Sequence, residues 1–357
     1  MQQAGNAKKQ ESASAMAKAA RDRVQKMREV SRHEKARRTT DALRWRNREI
    51  IATVAQGREE LIAGLSAPQA CIPSKYFYDS LGSQLFEAIT NLPEYYPTRA
   101  EAAIFSLHGG DIARAVHTGR VLIDLGAGNC EKAAGLFGTL EPAQYVAVDI
   151  SAAYLETALE RLRKEHPGIG MTGLGLDMSQ GLDLPASIPE EGRLFFYPGS
   201  SIGNFTPLDA AGFLRDLRAQ CHGHGGLLIG VDLIKDKAVL DAAYDDALGV
   251  TAAFNLNALN NVNAVLGSDF DVRDWRHCGF FNPMLSRAEM HLETRLPVEV
   301  RWPGGTRRFE AGERIHTENS YKYGLDQFGG LLREAGFRNV RAWTDQRNWF
   351  AVFYATA

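Results

Sequence analysis

Paired cysteines and long hydrophobic runs are both missing from this sequence. Its four cysteines are widely spaced, form no CxxC pair and show no metal-ligand spacing, so they match neither a disulfide framework nor a zinc site. No run of about 18 apolar residues is present, which argues against a membrane-spanning helix. The N-terminus also lacks an apolar segment behind its charges, which argues against a secretory signal. We therefore expect a cytoplasmic protein with reduced thiols, no bound metal and no membrane partner.

A large net charge is also lacking, because 41 basic residues nearly balance 43 acidic ones and leave a formal net charge of −2. The distribution is nevertheless uneven, since residues 1–50 contain 14 Lys and Arg but only 6 Asp and Glu. This segment has almost no large apolar side chains and cannot bury enough surface to fold alone. We predict that residues 1–57 form a basic, solvated extension that is disordered or partly helical. Its mixed charges and single aromatic residue, Trp45, argue against a nucleic-acid surface.

Strand and helix signals alternate through the middle of the chain. Short apolar segments predict four β-strands: Val121–Leu125, Tyr145–Val148, Leu194–Tyr197 and Gly226–Val231. The segments between them predict three helices: Cys130–Gly138, Ala152–His166 and Pro207–Cys221. Strands that alternate with helices are typical of an α/β fold with a parallel, doubly wound sheet.

The pattern changes after this region. Residues 236–266 are predicted to be largely helical, and short strand-like segments follow, with a hairpin turn at Gly304–Gly305 and a last strand at Trp349–Tyr354. These elements indicate a smaller α+β lobe beside the main domain. The predicted division assigns 58–110 and 245–320 to the smaller lobe, and 111–244 and 321–357 to the main domain.

One helix start is predicted ahead of the sheet. Thr98 is a candidate N-cap, and Glu101 lies three residues later, where a capping box places its acidic partner.

A glycine turn follows the first predicted strand. Gly126 and Gly128 form a GxG motif, without the third glycine of the GxGxxG motif that dinucleotide sites use. A dinucleotide would place its pyrophosphate on the next helix N-terminus. S-adenosylmethionine carries no phosphate, so the shorter motif favours this methyl donor and argues against a nicotinamide oxidoreductase.

Acidic residues follow the neighbouring strands. Asp149 ends the second predicted strand, where a carboxylate can accept hydrogen bonds from both ribose hydroxyls. Asp177 is placed to bind the adenine amino group, with Met178 against the ring. An ordinary crossover with capping carboxylates is the alternative.

Two tyrosine-rich strings precede the glycine turn, namely KYFYDSLGS at Lys75–Ser83 and LPEYYPTR at Leu92–Arg99. Further distinctive strings follow it: GSSIGN at Gly199–Asn204, GVDLIKD at Gly230–Asp236, AAYDDA at Ala242–Ala247, VTAAFN at Val250–Asn255 and ENSYKY at Glu318–Tyr323. In this order, the strings resemble those of the L-histidine Nα-methyltransferase family of ergothioneine biosynthesis. The resemblance extends from about Lys75 to the C-terminus.

The resemblance implies a Rossmann-like class I methyltransferase sheet with a second, smaller α+β substrate-binding lobe. It also implies that S-adenosylmethionine trimethylates the α-amino group of L-histidine, which gives hercynine. L-histidine would then be the small-molecule partner, and we expect the protein to be a monomer.

The family's residues for the amino-acid end of the substrate match five positions here. Tyr78 and Tyr244 match tyrosines that hold the substrate carboxylate, and Asn204 matches the asparagine that binds the α-amino group and the carboxylate. Tyr95 matches the tyrosine at the amine, and Gly199 matches a backbone contact beside it. The resemblance therefore implies that Tyr78, Tyr95 and Asn204 form the catalytic set.

Other positions match residues for the ring and the methyl donor. Glu318 and Ser320 match the pair that binds the imidazole, and their spacing places both on one side of an extended strand. Met290 matches the residue that packs against the ring. The cofactor contacts of the family match Gly126, Lys132, Asp149 and Asp177.

Methyl transfer requires an uncharged amine that is held in line with the donor methyl group. Three rounds of transfer require a site that accepts a growing ammonium, and we expect the rings of Tyr95 and Phe77 to attract it. The residues identify no general base.

Two rival functions stay open at this point. A methyltransferase of the same family could act on another amino acid or an alkaloid amine, such as a tryptophan derivative, although an indole has less need of a carboxylate at Glu318. The rival from another class is a non-catalytic module that binds S-adenosylmethionine or another protein, with the basic N-terminal segment as its functional part.

Overall fold

A computed structural model describes residues 56–117, 120–178 and 181–357. Residues Leu61–Ala357 form one compact unit. The predicted N-terminal extension lies outside the described residues, apart from positions 56 and 57.

The described residues form ten α-helices and twelve β-strands. The helices are α1 (56–66), α2 (Ser80–Thr90), α3 (Pro97–Val116), α4 (Glu131–Ala134), α5 (Phe137–Leu140), α6 (Ala152–Glu165), α7 (Pro207–Gln220), α8 (Lys237–Tyr244), α9 (Val250–Leu266) and α10 (Leu325–Glu334). The strands are β1 (Val121–Leu125), β2 (Gln144–Asp149), β3 (Gly170–Gly175), β4 (Arg193–Tyr197), β5 (Gly226–Asp232), β6 (Trp275–Asn282), β7 (Arg287–Thr294), β8 (Val298–Trp302), β9 (Gly305–Phe309), β10 (Arg314–Tyr321), β11 (Arg338–Thr344) and β12 (Phe350–Thr356).

A seven-stranded sheet forms the centre of the fold, in the order β11-β12-β5-β4-β1-β2-β3. Its five strands from β3 to β5 are parallel, while β12 and β11 are added antiparallel at one edge. This is the predicted doubly wound α/β sheet, and all four strands predicted within it are confirmed. The order reverses direction beside β1, which is where such sheets bind ligands.

The sheet is covered on both faces, because its strands alternate their side chains between two apolar layers. Ile123 and Phe195 point into a layer with α7 and α10, while Leu122 and Phe196 point into a layer with α3 and α6. With both faces buried, ligands reach the parallel strands at their carboxyl ends.

A second set of strands lies apart from this sheet. Strands β10, β7 and β6 form a three-stranded antiparallel sheet, and β8 pairs with β9 in a hairpin. Helix α9 packs against β6 and against α2. The hairpin turn lies at Pro303–Gly304, one residue earlier than predicted, and Gly304 adopts a φ of 93° that favours glycine.

Two predictions about helices are wrong. Helix α3 begins at Pro97, whose missing amide hydrogen suits the first helical position, so Thr98 lies inside the first turn and caps nothing. The single helix predicted over Cys130–Gly138 is two short ones, because α4 ends at Ala134 and α5 begins only at Phe137.

Among the described residues, no helix is both long enough and apolar enough to cross a membrane.

Candidate active site

One cavity collects all the residues that were predicted to bind the substrate. Its mouth is open to solvent, and segments that are far apart in the sequence form its wall. The predicted residues in this wall are Tyr78, Tyr95, Gly199, Asn204, Tyr244, Met290, Glu318 and Ser320. The roles of these side chains stay predictions, but the shared cavity that those roles require is present.

The turn around Tyr78 is held by hydrogen bonds to Asp79 and by close packing at Gly82, which explains why these two residues follow Tyr78 in the sequence. Asp79 caps α2 by accepting a hydrogen bond from the Gly82 amide at 2.7 Å, and Asn257 of α9 donates another to the same oxygen at 2.8 Å. A side chain on Gly82 would collide with the Phe77 carbonyl oxygen, because an added Cβ would lie 1.6 Å from it. Asp79 and Gly82 therefore hold the turn that presents Tyr78 to the cavity.

Aromatic rings surround the Tyr78 side of the cavity. The Tyr78 ring packs edge-on against Phe86 and Phe254, and the Tyr95 ring also packs edge-on against Phe86. Burial raises the pKa of the Tyr78 and Tyr95 hydroxyls well above the ordinary value. Both hydroxyls therefore stay protonated and can donate hydrogen bonds at neutral pH.

The expectation that Phe77 faces the methylated ammonium is wrong. Phe77 is 1% exposed and packs in the core against Phe254, at a ring-centroid distance of 4.7 Å. Phe86 lies in the cavity wall, and Phe77 does not. The sequence could not distinguish the two phenylalanines, because both lie close to the tyrosines between Lys75 and Arg99.

Strand β10 and the residue that follows it present a row of polar side chains to the cavity. Glu318, Ser320 and Lys322 alternate along the chain and all line the wall, and Met290 of β7 lies opposite Glu318. The Glu318 carboxylate accepts no hydrogen bond from any residue that the structure describes. Burial raises the pKa of Glu318 to about 7, although the Lys322 ammonium opposes this rise.

This raised pKa predicts a pH-dependent loss of stability in the absence of substrate. Between pH 4.5 and about 7 the folded protein keeps Glu318 protonated while the unfolded chain ionises it, so the unfolded state binds fewer protons and stability falls as pH rises. Relative to Glu318→Gln, the wild type is expected to lose roughly 3 kcal/mol of unfolding free energy across this window. Urea unfolding of both proteins at pH 5 and pH 8 measures the difference. If the free energies of unfolding of the wild type and the variant differ by the same amount at both pH values, Glu318 does not have a raised pKa.

A buried charged cluster lies beneath these residues. Asp232, at the end of β5, pairs with Lys322 at 2.9 Å and with Lys235 at 2.6 Å, and it accepts a hydrogen bond from the Tyr96 hydroxyl at 2.8 Å. Burial acts to raise the pKa of Asp232, but the two ammonium groups hold it below the ordinary value. Burial acts to lower the pKa of Lys322, yet Asp232 brings it above the ordinary value. Asp232 is therefore a carboxylate, and Lys322 an ammonium.

Asn204 is held at the carboxyl end of the sheet. It ends a short 3₁₀ turn, Ser201–Asn204, that follows β4. Ser200, just before the turn, has a φ of 63°, and its hydroxyl accepts a hydrogen bond from the Asp232 amide at 2.9 Å. Gly203 packs so closely against β10 that an added Cβ would lie 2.8 Å from the Tyr321 carbonyl oxygen. The turn is thus fixed between β5 and β10, and Asn204 is fixed with it.

The predicted cofactor residues meet at the same edge of the sheet. Gly126 and Gly128 have φ values of 70° and 54°, which favour glycine. Asp149 accepts hydrogen bonds from the Gly128 and Ser151 amides, both at 2.9 Å, and so holds the glycine turn. An added Cβ on Gly126 would lie 4.0 Å from the Met178 side chain. An open glycine turn, a carboxylate and an apolar side chain at one edge fit a nucleoside without a phosphate.

Asp177 links this edge to the substrate cavity. Its carboxylate pairs with the Lys75 ammonium at 3.0 Å, and Lys75 lies in the 3₁₀ turn that leads to Tyr78. The sequence assigned no role to Lys75.

A buried glutamate joins two other predicted residues. Glu101 is 2% exposed; one carboxylate oxygen accepts a hydrogen bond from the Gly199 amide at 2.8 Å, and the other pairs with Lys132 at 2.7 Å. Gly230 leaves room for this carboxylate, because an added Cβ there would lie 2.1 Å from it. Glu101 therefore connects a predicted cofactor contact, Lys132, with a predicted substrate contact, Gly199.

One group in the described part of the chain has the composition of a metal site. Potential ligand atoms of Glu289, His291 and His316 lie within 4.8 Å of one another. Glu289 already pairs with Arg287 at 2.9 Å and with His291 at 2.9 Å, and His316 contacts Asn319 at 2.9 Å. Because the Arg287 guanidinium already pairs with the Glu289 carboxylate, we interpret these three residues as a hydrogen-bonded cluster of the three-stranded sheet.

The sequence interpretation missed the charged residues of the site. Lys322 could have been found by extending the alternation of Glu318 and Ser320 by one more step. Asp232 could have been found by the signal that identified Asp149, because each is the acidic residue that ends a β-strand. Glu101 was mistaken for a capping partner, because nothing local shows that its carboxylate is buried.

Comparisons with known proteins place the chain among methyltransferases. A family model described as "Histidine-specific methyltransferase, SAM-dependent" matches residues 57–357. The histidine N-alpha-methyltransferase of Mycobacterium tuberculosis (strain CDC 1551 / Oshkosh) is 38% identical over 84% of this chain and 94% of its own. The protein of the same name from Mycolicibacterium smegmatis is 39% identical, with the same coverage. The N-methyltransferase imqF of Aspergillus flavus is 30% identical over 80% of this chain and 81% of its own.

Proposed function

The chain belongs to the histidine-specific, S-adenosylmethionine-dependent methyltransferase family, and from that premise we propose that it trimethylates the α-amino group of L-histidine. The product would be hercynine, and the reaction would be the first step of ergothioneine biosynthesis. The observation that carries the proposal is the single cavity that contains Tyr78, Asn204 and Glu318 together.

The two ends of this cavity suit the two ends of histidine. Hydroxyl and amide groups of Tyr78, Tyr244 and Asn204 can bind a carboxylate, and each of them lines the wall. Glu318 and Ser320 line the same cavity and can bind the two nitrogens of an imidazole. An amino acid held at both ends has its α-amino group fixed between them.

The residues of the chain contribute mainly alignment. S-adenosylmethionine, when bound, supplies an electrophilic methyl group on a sulfonium. Gly126, Gly128 and Asp149 would hold it at the carboxyl edge of the sheet. The tyrosine and asparagine side chains would aim the amine, and alignment of this kind is worth on the order of 7 kcal/mol in well-oriented systems. The rings of Tyr95 and Phe86 would attract the ammonium as it gains methyl groups.

Activity is expected to rise with pH, because only the neutral amine attacks. An α-amino group titrates near pH 8 in peptides and somewhat higher in a free amino acid. With S-adenosylmethionine saturating, kcat/KM for histidine should increase about tenfold per pH unit from pH 7 until the amine is deprotonated. The Glu318→Gln variant should keep this rise, because the ionisation belongs to the substrate. A flat wild-type profile from pH 7 to pH 10 would rule out the neutral-amine mechanism.

A second candidate function is N-methylation of another amino acid or an alkaloid amine. The similarity to imqF, which is named only as an N-methyltransferase, favours keeping it. Glu318 and Ser320 argue against it, because an apolar ring would leave the buried carboxylate without a partner.

Mass spectrometry of reaction products tests the proposal. Purified protein with S-adenosylmethionine and L-histidine is expected to give histidine with three added methyl groups, all on the α-nitrogen. Parallel reactions with tryptophan and tyrosine are the controls. Methylation of one of these in preference to histidine would establish the second candidate instead.

We also propose that the protein acts as a cytoplasmic monomer and that residues 58–110 and 245–320 form its substrate-binding lobe. Five of the predicted substrate residues that line the cavity lie in these two segments, which supports the lobe assignment: Tyr78, Tyr95, Met290, Glu318 and Ser320. Size-exclusion chromatography with light scattering measures the oligomeric state.

A further inference from the structure

Lys322 is a fully buried ammonium with three acceptors for its three hydrogens. It is 2% exposed, and its Nζ lies 2.9 Å from Asp232, 2.7 Å from the Tyr244 hydroxyl and 2.8 Å from the Ser320 hydroxyl. Tyr244 and Ser320 both line the substrate cavity. One side chain therefore touches residues at the two ends of the proposed substrate.

An ammonium can only donate hydrogen bonds, so it fixes the direction of its neighbours. The Tyr244 and Ser320 oxygens must accept from Lys322, and each hydroxyl keeps its own hydrogen for another partner. Within the described part of the chain, neither hydroxyl has another hydrogen-bond partner. Both hydrogens are therefore available to a molecule in the cavity.

We infer that Lys322 is a positioning residue that makes Tyr244 and Ser320 hydrogen-bond donors to the substrate and thereby selects a neutral imidazole. The inference rests on the proposed function. Glu318 would accept from the ring N–H, and Ser320 would donate to the other ring nitrogen. A ring with two N–H groups, or with no acceptor nitrogen, would meet the Ser320 hydrogen instead of a lone pair.

Lys235 provides a matched control. Lys235 and Lys322 pair with the same carboxylate, Asp232, but the hydrogen bonds of Lys235 go to Tyr96, Asp232 and the Leu233 carbonyl oxygen. Replacing either lysine removes one cation from Asp232. Only the Lys322 substitution releases the Tyr244 and Ser320 hydroxyls.

The test compares histidine with the two pyrrolylalanine isomers, which keep an N–H at one ring position or the other and have no acceptor nitrogen. In the wild type, kcat/KM should favour histidine over the better isomer by at least about 100-fold. Lys322→Met should reduce this preference at least tenfold, because Ser320 is then no longer held as a donor and can turn its hydrogen away from the C–H that the isomer with its N–H at Glu318 presents to it. Ser320→Ala should reduce it similarly with Lys322 in place, and Lys235→Met should leave it within threefold.

Thermal unfolding and S-adenosylhomocysteine binding of each variant separate this effect from a loss of structure. If Lys322→Met does not fold, Lys322→Gln replaces it, since its amide oxygen can accept from a hydroxyl and should weaken the preference in the same way. A folded Lys322 variant or Ser320→Ala with the wild-type preference would overturn the inference. A wild type that binds S-adenosylhomocysteine but never methylates histidine would instead overturn the proposed function.

Discussion

Replacing Glu318 with alanine is expected to lower kcat/KM for L-histidine by about 100- to 1,000-fold. The carboxylate is largely buried and has no hydrogen-bond partner among the described residues, so a ring N–H would be its natural partner. Hydrogen bonds to a charged group contribute about 1.5–3 kcal/mol, and exclusion of water from the cavity increases their effect on discrimination. Steady-state kinetics with histidine at several concentrations measures the loss.

The same variant should become less selective. Without the carboxylate, binding of an apolar ring no longer leaves a buried charge without a partner. Turnover of phenylalanine or tryptophan relative to histidine is therefore expected to rise. Asn319→Ala is the matched control, because Asn319 is the next residue of β10, contacts His316 and lies outside the cavity wall. It should stay within about threefold of wild type. Unchanged histidine kinetics in Glu318→Ala would remove Glu318 from the substrate site.

Replacing Asn204 with alanine is expected to lower kcat/KM for histidine by about 100-fold, because the carboxylate and the amine lose a shared partner. Asn204→Asp should be worse than alanine, since it places a negative charge beside the substrate carboxylate. Affinity for S-adenosylhomocysteine should remain close to wild type in both variants and serves as the control for folding.

Histamine, which has no carboxylate, shows whether the loss occurs at the proposed end of the substrate. The wild type should prefer histidine over histamine by at least about 1,000-fold, because Tyr78, Tyr244 and Asn204 would face an empty position. In Asn204→Ala this preference should shrink at least tenfold. An undiminished preference would mean that Asn204 does not contact the carboxylate.

The sequence predicted the central sheet well, because its buried strands have a clear local signal. Strands β1, β4 and β5 are buried along their whole length and mostly apolar, with one charged residue in each. Strand β3 was missed because its sequence, GMTGLG, contains three glycines and no valine or isoleucine. Pairing with β2 makes it a strand despite its composition.

The substrate residues were predicted from motifs, whereas the charged residues beneath them were not. Tyr78, Asn204 and Glu318 lie in strings that are distinctive when read along the chain. Lys322 is important because of its contact with Tyr244, which lies 78 positions away in the sequence. Glu101 is important because of its contact with Gly199, which lies 98 positions away. A buried ion pair depends on how distant elements pack, and no local pattern encodes that.

The central claim is that one cavity holds histidine by both ends, and a crystal structure with L-histidine and S-adenosylhomocysteine tests it most directly. The account predicts ring nitrogens within hydrogen-bond distance of the Glu318 carboxylate and the Ser320 hydroxyl. It also predicts a carboxylate on Asn204 and Tyr244, and an amine that points towards the sulfur. Histidine bound outside this cavity, or with its ring turned away from Glu318, would contradict it.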